Sequence, residues 1–188
     1  MEIKKWLIII IILQVLIMGL NLSTIKNIFS HSSSAGEGIT NKGTGFLFDE
    51  NRCLIAQKTN QTITTNTVTL ITFDNVVTND NKMFDAGSNT IITIQEDGFY
   101  SIEAGVGYNN NATSYRWMVV YKTGDVGLCQ DAIHVTDGGL NAVMGCSKIV
   151  YLKKGDTVYI KTLQNSGGDL ATRGLSTQTF LQLMRIGS

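Results

Sequence analysis

Residues Tyr151 to Ile160 read YLKKGDTVYI, a Lys-Lys-Gly-Asp stretch between two runs whose apolar side chains recur at every second position. Gly155 tolerates the positive φ of a tight turn, and the Asp156 carboxylate can bond the backbone beside it. Ile149 and Tyr151 before the turn, and Val158 and Ile160 after it, keep the period of two that a half-buried strand requires. The stretch therefore predicts a β-hairpin. It also sets the pattern to look for elsewhere.

The same pattern fills the chain beyond Gly45. Short β-branched and aromatic runs follow one another: CLIAQKT (53–59), TVTLITF (67–73), TIITI (90–94), GFYSIEAGVGY (98–108), YRWMVVYK (115–122), VGLCQDAIHV (126–135), NAVMGCSKIVYL (141–152) and TFLQLMRI (179–186). Turn signals such as Asn79-Asp80-Asn81, Asp97-Gly98, Thr123-Gly124-Asp125 and Gly167-Gly168 separate them. Helical periodicity is almost absent. About ten short strands at this spacing predict an all-β jelly-roll sandwich over residues 46–188.

Composition narrows the function classes. The chain has 188 residues, 19 glycines and no proline, enough for one sizeable core in a turn-rich β protein. Fifteen basic and 15 acidic residues cancel, so no global field draws it to nucleic acid, and no nucleic-acid partner is expected. Cys53, Cys129 and Cys146 lack the close spacing of a zinc site. Their odd number allows one internal pair at most. The favoured reading makes all three small buried hydrophobes, with a Cys129–Cys146 disulfide as the alternative.

The N-terminal segment, MEIKKWLIIIIILQVLIMGLNL, carries Lys4 and Lys5 ahead of an apolar run from Trp6 to Leu22. That run is near the length of a membrane span, and no small-x-small cleavage site follows it closely. Residues 1–24 are therefore expected to form an uncleaved signal-anchor helix that crosses a membrane through residues 6–22. Its N-terminus stays inside and the remainder is exported. Cleavage of the segment would instead give a secreted protein. Residues 25–45, rich in Ser, Gly, Thr and Asn, read as a stalk below a head of residues 46–188.

From Ile55 to Ile186 the chain resembles the C1q/TNF-like jelly-roll family, its C1q-type globular heads most of all. The resemblance is carried by Phe73 with Asn79, Gly98 with Tyr100, the aliphatic-Tyr-Lys-x-Gly turn over Val120 to Gly124, and Gly155-Asp156. The closing strand departs from the family's Phe-Ser-Gly and reads Phe180-Leu181-Gln182. The resemblance implies a trimeric head and a non-enzymatic role, and makes the Gly155 turn the family's F–G hairpin. Some members bind calcium, for which loop carboxylates Asp131 and Asp137 are the candidates here; no other cofactor is expected.

Strand parity places the trimer contact. In GFYSIEAGV, Tyr100, Ile102, Ala104 and Val106 share one face, and Ser101, Glu103 and Gly105 the other. In TFLQLMRI, Leu181 and Leu183 alternate with Phe180, Gln182 and Met184. Giving the core Tyr100, Ile102, Leu181 and Leu183 leaves Phe180 and Met184 pointing out, and large exposed apolar groups mark interfaces. The resembled family trimerises through the sheet that holds these strands, which puts Ser101, Glu103, Phe180 and Met184 near the three-fold axis.

No set of residues converges on catalysis. His134 lies near Asp131 and Asp137 in sequence, yet one histidine beside two carboxylates is more often a strand-edge residue than an acid–base site. The aromatic run YRWMVVY is read as core packing, with Arg116 and Met118 on one side and Trp117 and Val119 on the other. Asn60 and Asn111 head N-x-Thr triplets open to glycosylation in a host that modifies exported chains. The expected function is a membrane-anchored trimeric surface module, structural or for attachment, on a virion or microbial cell. Its partners would be itself, the membrane, and a receptor or capsid or surface protein. The alternative is a signalling ligand displayed on, or secreted from, a membrane.

Overall fold

The computed structural model describes residues 51–111, 114–136 and 141–188. The expected anchor and stalk lie outside these residues, as do Asp137 and part of the Asn111 triplet. Among the described residues no helix is long and apolar enough to cross a membrane.

Among the described residues twelve strands form in chain order: β1 (Arg52–Ala56), β2 (Thr62–Ile63), β3 (Thr69–Leu70), β4 (Asn75–Asn79), β5 (Ile92–Thr93) and β6 (Gly98–Tyr108). They continue with β7 (Ser114–Lys122), β8 (Val126–Val135), β9 (Ala142–Leu152), β10 (Thr157–Gln164), β11 (Leu170–Ala171) and β12 (Phe180–Gly187). The first sheet runs β4-β1-β12-β6-β9; the second runs β3-β10-β7-β8, with β5 also on β10. β11 and β2 make a small third pair.

Both sheets turn an apolar face inward. Tyr100, Ile102, Leu181 and Leu183 from the first sheet meet Met118, Val120, Val158 and Ile160 from the second, all fully buried. The alternation of β6, β10 and β12 thus fixes which side of each strand is core. Phe73 is buried, and Asn79 ties the loop after β4 by accepting from the Phe84 amide and donating to the Phe84 carbonyl, both at 2.8 Å.

The structure corrects the reading of the Gly155 turn. β9 pairs with β6 in the first sheet, whereas β10 pairs with β7 in the second. The chain therefore passes from one sheet to the other at Lys153–Asp156, and no hairpin forms. The turn itself is as the sequence requires: Gly155 has φ 88°, and the Lys153 amide donates to Asp156 Oδ2 at 3.0 Å. Gly155 and Asp156 are instead tied to the loop before β6. The Gly155 amide donates to the Ile94 carbonyl, and the Ile94 amide to the Asp156 carbonyl, each at 2.8 Å. Turn chemistry sets a local bend; which sheet each arm joins is decided by distant pairing.

A second correction follows. Ile149 is 61% exposed and Tyr151 43%, so these are the outward residues of β9, and Val150 and Leu152 are the inward ones.

Candidate functional site

The outward face of the first sheet gathers the residues expected at a trimer contact. Antiparallel register sets Phe180 beside Gly105, Gln182 beside Glu103, and Met184 beside Ser101. β9 extends these rows with Gly145, Ser147 and Ile149. The absence of side chains at Gly105 gives the Phe180 ring its place, because a Cβ there would meet the ring edge at 2.8 Å. Glu103, Gly105, Val143, Gly145, Ser147 and Phe180 line a hollow of about 300 Å³ on this face. Farther along, Phe99 and Tyr151 pack edge to face at 5.3 Å between centroids, and both stay open to solvent. The face thus combines exposed apolar groups with a single carboxylate in its middle row.

β9 is the edge of the first sheet and β8 that of the second, and the two edges are fastened together. Cys129 and Cys146 form a disulfide with Cα atoms 5.9 Å apart. Beside it the Gly145 amide donates to Asp131 Oδ2 at 3.0 Å, while the Ala132 amide donates to Oδ1 at 2.8 Å. The reading of these two cysteines as free and buried is therefore corrected: they are half-buried partners across the sandwich edge. The alternative, a Cys129–Cys146 disulfide, is the one that forms; neighbours in space need not be neighbours in either sheet, so spacing along the chain could not rank it first. Cys53 alone is free and fully buried. Burial, and then the charge of Asp80, push its thiol up to about 12, which leaves it protonated and unreactive.

The other sequence candidates disperse. Asp131 shares the inward side of β8 with Cys129 and Ile133, whereas His134 is exposed on the opposite side, so the two cannot act as a pair. The Asp131 carboxylate is engaged by backbone amides, and its calcium partner Asp137 lies outside the described residues. Among the described residues no group of three or more His, Cys, Asp or Glu side chains could hold a metal. Asn60 is exposed, and its Oδ1 accepts from the Gly174 amide at 2.7 Å.

YRWMVVY divides as its alternation requires, yet the aromatic part is not core. Arg116, Met118 and Val120 point inward, while Tyr115, Trp117, Val119 and Tyr121 point outward from the second sheet. The inward Arg116 is 1% exposed, donates from Nη2 to the Asn111 carbonyl at 3.0 Å and lies over the Tyr108 ring at 5.6 Å. Burial lowers its pKa, while the same burial raises the Tyr108 hydroxyl to about 12. On the outward side, Tyr121 and Tyr159 stack across strands at 5.9 Å with Lys161 against both rings. Lys161 Nζ and the Tyr159 hydroxyl both donate to Asp125 Oδ1, at 2.6 and 2.7 Å. Those bonds, Lys161 first, depress the Asp125 carboxyl below its ordinary range, and the same contact raises Lys161.

Comparison with known proteins agrees with this architecture. Among solved structures, a TNF from S. frugiperda, Eiger, superposes with a TM-score of 0.58 at 12% identity, covering 73% of this chain and 92% of its own. Murine APRIL gives 0.56 at 14% identity, with 71% and 97% covered. The globular domain of zebrafish complement 1qA gives 0.50 at 14%, with 70% and 94% covered. At these identities the likeness concerns the fold. No curated protein sequence matches the chain. The family model of the C1q domain, however, matches residues 54–181, well over half of the sequence, and the chain belongs to the C1q domain family.

Proposed function

We propose that the chain is a non-enzymatic surface module: a homotrimeric C1q/TNF-like head held on a membrane by its N-terminal segment. It serves as a structural or attachment protein of a virion or microbial cell. The observation that carries this reading is the outward face of the first sheet. There Phe180 on β12 borders the hollow at Gly105, and Met184 on β12, Ile149 and Tyr151 on β9, and Phe99 on β6 continue the apolar surface along the same face. Three copies closing on that surface would remove it from water and bring the three Glu103 side chains near one axis. The resemblance to C1q/TNF-like heads implies assembly through this same sheet. Charge does not oppose the assembly, because the chain is neutral overall.

Membrane display rests on the sequence of residues 1–24 and the positive flank ahead of it. Expression with a C-terminal tag tests it. The full chain should stay with membranes after carbonate extraction, at unprocessed mass, with the tag open to protease outside intact cells. A soluble product that begins beyond Leu20 would replace anchoring by secretion. Mass spectrometry of purified particles and of membrane fractions then distinguishes a virion component from a cellular one.

A further inference from the structure

The second sheet presents an outward face that the trimer reading does not use. Tyr115, 40% exposed, and the half-buried Trp117 follow each other on the same side of β7, about 7 Å apart at the rise of a strand. Leu163 of β10 sits beside Trp117, and Val68, 53% exposed, precedes β3 on the same sheet. Val119 also points outward yet is 4% exposed, so the side chains of this face close over it. The charges here cancel locally, since Asp125 holds Lys161. Hydrogen-bonding groups stand at the rim: His134 beside Tyr115, and Gln130 beside Val119, both exposed.

We propose that this face, centred on Tyr115 and Trp117, is a binding platform for a neutral carbohydrate chain. Two rigid rings offer broad apolar contact at little cost in side-chain entropy. The face carries no net charge, which fits an uncharged ligand better than an acidic or basic one. β7 and β10 each have strand neighbours on both sides, so their amides and carbonyls are spent in the ladder. A peptide laid across them would find no backbone partners and would leave its own polar groups unpaired. A saccharide places C–H groups on the rings and keeps its hydroxyls at its edge, within reach of His134, Gln130 and water. The platform lies on the opposite sheet from the hollow at Gly105, so it goes beyond the trimer reading and does not depend on it.

The chain supplies its own reporter. Its two tryptophans are Trp6, in the apolar N-terminal run, and Trp117. Titration of the full-length protein with maltohexaose, chitohexaose and mannohexaose should shift the Trp117 emission with at least one of them, saturably, at a dissociation constant of about 1 mM or tighter. Calorimetry with that sugar should show binding weakened at least about tenfold, some 1.4 kcal/mol, by Trp117→Ala. Trp117→Phe, which keeps a ring, should retain it, and Phe180→Asp should leave it unchanged. The proposal is overturned if none of the three sugars perturbs Trp117 at about 10 mM, a concentration ten times that constant. It is equally overturned if Trp117→Ala binds as well as the parent. A change in assembly size on Trp117→Ala, without any sugar response, would make this face a contact between copies instead.

Discussion

The two sheets of the sandwich share a core but differ in what they turn outward. The first sheet exposes aliphatic and aromatic groups over glycines, with Glu103 in the middle row and a hollow beside it. The second exposes aromatic rings too, but locks Lys161 to Asp125 and stacks Tyr121 on Tyr159. One face leaves large apolar groups open to water. The other has satisfied its own charges and presents rings. Identical alternation along the strands underlies both, so the outward residues, and not the fold, set the proposed assembly surface apart from the proposed platform.

The largest effect should come from breaking the first face. Phe180→Asp removes roughly 1.5–3 kcal/mol of burial per subunit and adds three carboxylates to a shared axis, so trimers should dissociate. The fold should survive, because Phe180 lies outside the core cluster; circular dichroism and cooperative melting check this. The next largest effect joins the faces. Cys129 and Cys146 close a loop 17 residues apart, and their replacement by serine should cost about 3 kcal/mol of stability, read by denaturant unfolding. Thiol titration under denaturing conditions without reductant should count one group, Cys53, and three groups would contradict the pairing.

Acid should also loosen a loop tie. The Asp74 carboxylate accepts from the Lys58 and Thr59 amides at 2.6 and 3.0 Å. Burial works against its ionisation, but the bonds from Thr59 and Lys58 prevail, and its pKa is lowered. A lowered folded pKa means that this stability is complete above the unfolded value of about 4 and is lost as pH falls through the folded value. Asp74→Asn should flatten the decline of the melting temperature below pH about 4. The smallest effect belongs to the second face: Asp125→Asn breaks an exposed pair and should leave the melting temperature within experimental scatter.

Much of this was legible in the sequence because β6, β10 and β12 each have one apolar and one mixed side. Tyr100, Ile102, Val158, Ile160, Leu181 and Leu183 all face the core, as their period of two requires. β9 resisted the same reading. It is apolar on both sides near the turn, so Ile149 and Tyr151 looked like core, while Val150 and Leu152 hold that place. The Gly155 turn showed its bend but not its destination, since the bonds that commit β9 and β10 to different sheets come from β6 and β7. The disulfide stood only as the alternative for a related reason: Cys129 and Cys146 meet only where two sheet edges close on each other. The run YRWMVVY showed its alternation plainly. Aromatic content pointed it toward the core, whereas Arg116 and Met118 took the inward positions and the rings the outward ones.

Sedimentation equilibrium of the full-length protein in density-matched detergent reads the assembly itself. A homotrimer joined through Phe180 should give three times the chain mass at about micromolar protein, the range of specific assemblies, and a single-chain mass for Phe180→Asp. A parent protein that sediments as a single chain at that concentration would contradict it.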